Sequence, residues 1–358
     1  MVHVVPALFG ATGGVVGGAE RYVFELARHM AAQVPTTLLT FGEEQRVERV
    51  ESLDIRVLGP CHHIRRQRSN PVHHQMFSVL RKGNIVHCHQ LHTVASSLAA
   101  GYCRLTRRRV FVTDLGGGGW DISAYVSTDR WYNGHLHISQ YSRKVFGHEQ
   151  KPWAEVILGG VDNTLFSPDA SVTKKNHVLF VGRLLPHKGV DDLIEAVPAD
   201  MPLRLIGHET NQKYLDDLRE LARGKIVSFQ HDCDDDELVR AYREALCIVL
   251  PSVYRDRYGG ETRVPELLGQ TLIEGMACGI PAICTNVASM PEVIQDGSTG
   301  FIVPPNNPDA LGEKLRWLRA NPNEAKRLGA AAREDVLDRF TWKRVVERCL
   351  HAYQLECK

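Results

Sequence analysis

A short β-rich run, a glycine-bearing loop and an amphipathic helix follow one another at the start of this chain, and the same order keeps returning. VHVVP (2–6) leads into GATGGVVGG (10–18) and then AERYVFELARHM (19–30). In that last stretch Ala19, Tyr22, Val23, Leu26, Ala27 and Met30 recur at i, i+3, i+4, i+7, i+8 and i+11. The spacing puts them on one helical stripe. NIVHCH (84–89) and RVFVT (109–113) read as further buried strands, the second running into DLGGGG, and LHISQYSRKVF (136–146) begins as a strand and turns helical. Strands alternating with helices predict a parallel sheet covered by helices on both faces.

The stretch NTLFSPDASVTKKNH (163–177) is polar and carries Pro168, which reads as a linker. The grammar then restarts. HVLFVG is a strand and KGVDDLIEAV a helix with Val190, Leu193, Ile194 and Val197 on one face; LRLIG, KYLDDLRELAR, IVSFQ, DDELVRAYREA and CIVLPS continue the alternation. A chain of 358 residues exceeds what one core usually organises. The expectation is two doubly wound α/β domains, 1–165 and 166–339, with ligands beyond the carboxyl ends of the strands.

A net charge of +1 argues against a nucleic-acid partner. Nine cysteines without a C-x-x-C pair suggest free thiols in a reducing cytoplasm rather than a disulfide framework or a zinc site. MVHVVPALFG has no basic n-region, so no signal peptide is expected, and no run approaches the ~18 apolar residues of a membrane span. The histidine groups HCHQLH (87–92), HLHIS (135–139) and the pairs at 62–63 and 73–74 lack a carboxylate or cysteine at companion spacing, and read as core or surface histidines. The basic runs HHIRRQR (62–68) and RLTRRR (104–109) read as a solvated face that could also touch an anionic acceptor or lipid headgroups.

Chemistry concentrates in PELLGQTLIEGMACGIP (265–281), where the only charges are Glu266 and Glu274. A carboxylate in apolar surroundings is costly unless something binds it. A helix starting at about Gly269 to Thr271 leaves Glu266 in the preceding loop and Glu274 about one turn inside. Amides at such a helix start form an anion site. A phosphate there would have a carboxylate on either side, each able to accept from sugar hydroxyls. In VGRLLPHKG (181–189), Arg183 and Lys188 fall at the edge of a buried strand, where a planar fork and a point charge could neutralise a diphosphate. GATGGVVGG has neither the G-x-G-x-x-G spacing of a nicotinamide site nor a Walker lysine.

Together these residues resemble the retaining glycosyltransferases of family 4, the group 1 glycosyl transferases. The resemblance covers nearly the whole chain and is strongest from ILGGVDNTLFSP through VGRLLPHKGVDDLIEA to FIVPPNNPDAL, with Glu266 and Glu274 forming the paired-glutamate signature E-x7-E. It implies the GT-B fold: two Rossmann-like doubly wound domains with an interdomain cleft, and a last helix, about 340–358, packed back on the first domain. It implies that Glu274 accepts from ribose hydroxyls, that Glu266 lies near the transferred sugar, and that Arg183 and Lys188 hold the diphosphate. Gly17 and Gly18 match the loop over the phosphates, and Gly207, Gly269, Gln270, Thr271 and Leu272 complete the donor side. The implied donor is a nucleotide-diphosphate sugar, UDP-linked in the first instance, with no bound metal and no other cofactor. The implied acceptor is a small molecule, a glycan or a lipid-linked sugar, with peripheral membrane contact allowed. The acceptor side falls on Asp114, Leu115 and Gly116, and here the chain departs from the family, which commonly has His-Gly where VTDLGGGGW puts Leu115 and Gly116. That departure implies reduced activity unless Asp114, Asp121 or His89 compensates. A nucleotide-sugar epimerase and a silent donor-binding subunit are the other readings the architecture allows.

Overall fold

A computed structural model describes residues 1–8, 18–67, 69–116, 120–209, 211–231 and 233–354. The chain divides into two compact units: Met1–Gly160 with Trp342–Lys358, and Val161–Thr341.

The first unit is an eight-stranded sheet. Its strands are β1 (Val2–Leu8), β2 (Thr37–Phe41), β3 (Arg46–Val50), β4 (Leu53–Leu58), β7 (Ile85–His89), β8 (Arg109–Thr113), β9 (Gly134–His137) and β10 (Ala154–Val156). A two-residue pair, β5 (His62–His63) and β6 (Pro71–Val72), stands apart. The order is β10-β9-β8-β7-β1-β2-β4-β3, parallel throughout except where β3 runs against β4. Helix α1 (Gly18–Ala31) buries Tyr22, Val23, Leu26, Ala27 and Met30, as their spacing predicts; Ala19, in the first turn, stays partly exposed. Helices α2 (Met76–Leu80) and α4 (Gln140–Val145) are short, whereas α3 (Val94–Leu105) lays Ala95, Ala99 and Cys103 against Val86, Cys88, Val110 and Val112. Small helix residues let α3 approach the sheet closely, and burying these side chains contributes about 25 cal/mol per Å² of apolar surface.

The second unit is a six-stranded, wholly parallel sheet: β11 (Val178–Val181), β12 (Leu203–Ile206), β13 (Val227–Gln230), β14 (Cys247–Leu250), β15 (Ala282–Thr285) and β16 (Gly300–Val303), in the order β13-β12-β11-β14-β15-β16. Around it run α5 (Val190–Ala196), α6 (Gln212–Leu221), α7 (Asp235–Glu244), α8 (Gln270–Ala277), α9 (Pro308–Ala320) and α10 (Pro322–Arg339). The last helix, α11 (Trp342–Gln354), returns to the first unit, where the Trp342 and Tyr22 rings meet at 5.2 Å. A side chain on Gly160 would come within 2.5 Å of that indole, so this position accepts only glycine.

The polar stretch 163–177 is not a free linker. Phe166 is buried, Arg333 donates to its carbonyl at 3.1 Å, Arg243 donates to Ser167 O at 2.7 Å and Lys174 to Ala245 O at 3.2 Å. These bonds strap the stretch onto the second unit, because its exposed carbonyls find cationic donors on α7 and α10.

Candidate functional site

In each sheet the strand order reverses about one strand, and crevices in open α/β sheets form where that happens. In the second unit β11 lies between β12 and β14, so the reversal falls between the carboxyl ends of β11 and β14. Arg183 and Lys188 follow the first of these strands, Ser252 and Glu266 the second.

Local backbone chemistry fixes both ends. Gly182 after β11 and Gly207 after β12 have φ of 153° and 155°, and a Cβ on Gly207 would fall 1.8 Å from Gly182 O. The loops after β11 and β12 therefore touch backbone to backbone, which gives Gly207 a packing reason. The turn Pro186–Lys188 ends at Gly189, φ 64°, where a Cβ would lie 2.2 Å from Pro251 O. Glycine thus brings the Lys188 turn against the loop after β14.

The consequence is an ion pair. Lys188 Nζ donates to Glu266 Oε1, and Ser252 Oγ donates to the same oxygen at 3.0 Å. Lys188 and Glu266 side chains are only 13% and 12% exposed, so the pair is shielded from the screening that weakens surface pairs. Ser289 Oγ donates to Glu266 O at 3.3 Å. Burial, together with the Lys188 ammonium beside it, holds the His187 pKa below its usual value. Arg183 is exposed, and among the described residues no carboxylate pairs with it. A charge on that fork is available to an anion.

Helix α8 begins where the glycine at its head predicts: Gly269 is the N-cap residue, in the left-handed region at φ 82°, and Gln270, Thr271 and Leu272 form the first turn. Glu274 is 7% exposed, and Tyr242 of α7 donates its hydroxyl to Glu274 Oε2 at 2.9 Å. The second glutamate of the pair is therefore a held group within the unit, not a bare one. Sequence reading missed Ser252 and Tyr242. Both are small signals in a strand end and a helix, and only the fold shows which carboxylate each one meets.

In the first unit, Gly18 opens α1 with open space around it, and Gly17 lies outside the described residues. Asp114 and half-buried Leu115 follow β8; Asp114 Oδ1 accepts from the amide of Gly116 at 3.0 Å, and Gly116 sits at φ 74°. Burial raises the Asp114 pKa, with the Gly116 amide opposing it. Asp121 is buried and accepts from Ser123 N at 2.9 Å as a helical cap. His89 shares a 2.8 Å hydrogen bond with His3. Asp121 and His89 thus each have a partner in the interior of the first unit.

His3, His87 and His89 stack on neighbouring strands, and one nitrogen from each lies within 4.8 Å of the others, an arrangement able to hold a metal ion. His87 already hydrogen-bonds Thr113 and Tyr353, each at 2.8 Å. The eight described cysteines are all free, and no described helix is long and apolar enough to cross a membrane.

Residues 162–335 match a family model described as glycosyl transferases group 1. The GDP-mannose-dependent alpha-(1-6)-phosphatidylinositol monomannoside mannosyltransferase of Mycolicibacterium smegmatis is 29% identical over 228 residues, which is 58% of this chain and 58% of that protein, so the match spans less than two thirds of the relative's length. Among solved structures, sucrose-phosphate synthase from Thermosynechococcus elongatus is similar at a TM-score of 0.73 and 21% identity, over 99% of this chain and 98% of the other. Anabaena HepE in complex with UDP and glucose is similar at a TM-score of 0.71 and 16% identity, over 98% of each chain. At such identities the likeness shows the fold.

Proposed function

Because residues 162–335 match the group 1 glycosyl transferases and the chain has the GT-B fold of two Rossmann-like units, we propose that it transfers a hexose-type sugar from a nucleotide diphosphate to an acceptor hydroxyl, with retention of configuration. The observation that carries this reading is the Lys188–Glu266 pair at the strand-order reversal of the second sheet, with exposed Arg183 beside it in sequence. Arg183 and Lys188 bind the diphosphate and stabilise the charge that grows on it as the sugar leaves, the electrostatic term that usually dominates such catalysis. They do so without a metal. Glu266, held by Ser252 as well as Lys188, keeps a negative charge oriented toward the sugar and supports an oxocarbenium-like transition state. Glu274, fixed by Tyr242, accepts from the ribose. HepE, which holds UDP in its crystal, supports a uridine donor; the mannosyltransferase named for GDP-mannose makes guanosine the alternative.

A second reading, a donor-binding protein with little turnover, is favoured by Leu115, whose apolar side chain stands where an imidazole is usual. Transfer and hydrolysis assays with UDP- and GDP-hexoses decide between the two. Turnover by the wild type that is lost in Glu266→Gln supports the transferase. Nucleotide binding without any turnover supports the silent protein, and no binding of any nucleotide overturns both.

A further inference from the structure

His92 stands in the loop that follows β7, on the first unit, and takes no part in the donor site. In that sheet β1 lies between β7 and β2, so the strand order reverses between the carboxyl ends of β7 and β1, where crevices form. His92 comes three residues after His89, the last residue of β7. The backbone of the loop is constrained: Gln90 sits at φ 141°, which side chains rarely allow, and Ser96 Oγ donates to its carbonyl at 2.6 Å. Backbone held in such a conformation clusters at functional sites.

Buried Asn70 staples this loop to the segment that follows β8. Its side chain accepts from Val94 N at 2.9 Å and donates to Trp120 O at 2.6 Å. His92 Nδ1 is thereby brought to 2.8 Å from Ser123 Oγ. Asp114, which follows β8 directly, is close enough to His92 for a charge on the imidazole to favour the ionised carboxylate.

The bonds around Ser123 fix which ring nitrogen is basic. A carboxylate only accepts, and a serine hydroxyl has one proton to give. Ser123 Oγ gives its proton to Asp121 Oδ1, which also accepts from Ser123 N at 2.9 Å, while Ser97 Oγ donates to Asp121 Oδ2. Ser123 Oγ is left to accept from His92, so Nδ1 carries the imidazole proton and Nε2 keeps its lone pair. His92 is half-buried, and among the described residues its Nε2 has no hydrogen-bond partner. With Asp114 and Asp121 as the carboxylates around it, this end of the crevice favours hydrogen-bond donors and disfavours anions.

We propose that His92 Nε2 receives a hydrogen bond from a hydroxyl of the acceptor, that Ser123 and Asp121 are positioning residues holding the ring in the tautomer this needs, and that the part of the acceptor entering here is a neutral sugar or polyol. The proposal rests on the transferase reading above. It concerns a loop other than that of residue 115, so it is independent of what Leu115 does.

NMR of protein carrying nitrogen-15 in its histidines tests it. The His92 signals, identified by their loss in His92→Gln, should show a protonated Nδ1 and a bare Nε2 in mildly alkaline buffer. With the protein saturated by whichever of UDP and GDP binds more tightly, glucose or mannose should move the Nε2 signal, and inorganic phosphate should not. Ser123→Ala should let the proton redistribute between the two nitrogens and weaken that sugar about tenfold, the scale of one lost hydrogen bond. Ser123→Thr, which keeps the hydroxyl, should restore both. A protonated Nε2 in the wild type, a signal that neither sugar moves, or a Ser123→Ala variant that binds as tightly as the wild type overturns the proposal while the nucleotide still binds. Failure of both UDP and GDP to bind the wild type removes the donor site and the proposal with it.

Discussion

Lys188 and Glu266, 78 residues apart in sequence, are bonded to each other at the carboxyl edge of the second sheet. The contact exists because glycine at 189 lets one turn press against the carbonyl of Pro251 on the next loop. Each residue is thus the other's counter-ion until a substrate offers a better partner.

A coupled pair has a measurable signature. Lys188→Ala and Glu266→Ala should each slow sugar transfer, and the double variant should lose less than the two effects added, by about 0.5–3 kcal/mol of activation free energy. Strict additivity would mean that the two groups act independently in the reaction.

Glu274 is expected to matter for both binding and stability, because its removal takes away the carboxylate to which the buried Tyr242 hydroxyl donates. Glu274→Ala should lower stability by about 1–3 kcal/mol and weaken nucleotide binding. Glu274→Gln keeps an acceptor for Tyr242, so it should recover the stability and leave the binding defect. Denaturant melts paired with titration of UDP decide this; an alanine variant as stable as the wild type refutes the structural half.

The first unit should lose more stability in acid than the second, where the loss from His177, held by burial at about 4, is offset by Asp192. Burial holds His3 and His137 at about 3 and His135 at about 4, below the usual 6.5. The unfolded chain takes up protons that these imidazoles refuse in the fold, so their contribution is complete above pH 6.5 and is lost as pH falls toward 4. For fully buried His3 the loss at pH 5 is about 2 kcal/mol. In the second unit, burial and neighbouring Asp191 raise Asp192 to about 6, so the folded state holds that proton more tightly and gains stability as pH falls from 6 to 4. Hydrogen exchange at pH 7 and pH 5 should show the first unit opening more readily at the lower pH. Asp192→Asn should protect the second unit chiefly at pH 7. Equal loss of protection in both units would contradict the assignment.

Leu115 offers a test in the other direction. Leu115→His should raise the transfer rate by about tenfold to a hundredfold, since ~1.4 kcal/mol is a factor of ten, and should leave nucleotide affinity unchanged. A slower variant would mean that the leucine fits this protein's own acceptor.

The strands and helices that position the site were legible because parallel, doubly covered sheets write themselves as apolar runs between amphipathic helices. Tyr22, Leu26 and Met30, and Leu193 and Ile194, turn inward as their spacing requires. β3 escaped the pattern, because Arg46–Val50 is an edge strand with alternate residues open to solvent and none fully buried. In the site, glycines and charges were visible but their partners were not. Lys188 had to be brought to Glu266 by backbone contact between loops, and Tyr242 to Glu274 by the packing of α7 on α8. Neither distance is encoded in local spacing. The polar stretch 163–177 looked like a linker because its donors, Arg243 and Arg333, lie far along the chain.

The return of α11 to the first unit sets an order of events during synthesis. Val161 and Thr341 are bridged, and Val161 N donates to Phe340 O at 2.8 Å, so the second unit enters and leaves through adjacent positions. Everything it needs has been made once residue 341 leaves the ribosome. The first unit, begun 160 residues earlier, still lacks Trp342 against Gly160 and the buried Tyr353 beside Phe111 and His87. The second unit is therefore an insertion within the first, whose core closes only when segments from both sides of residues 161–341 meet.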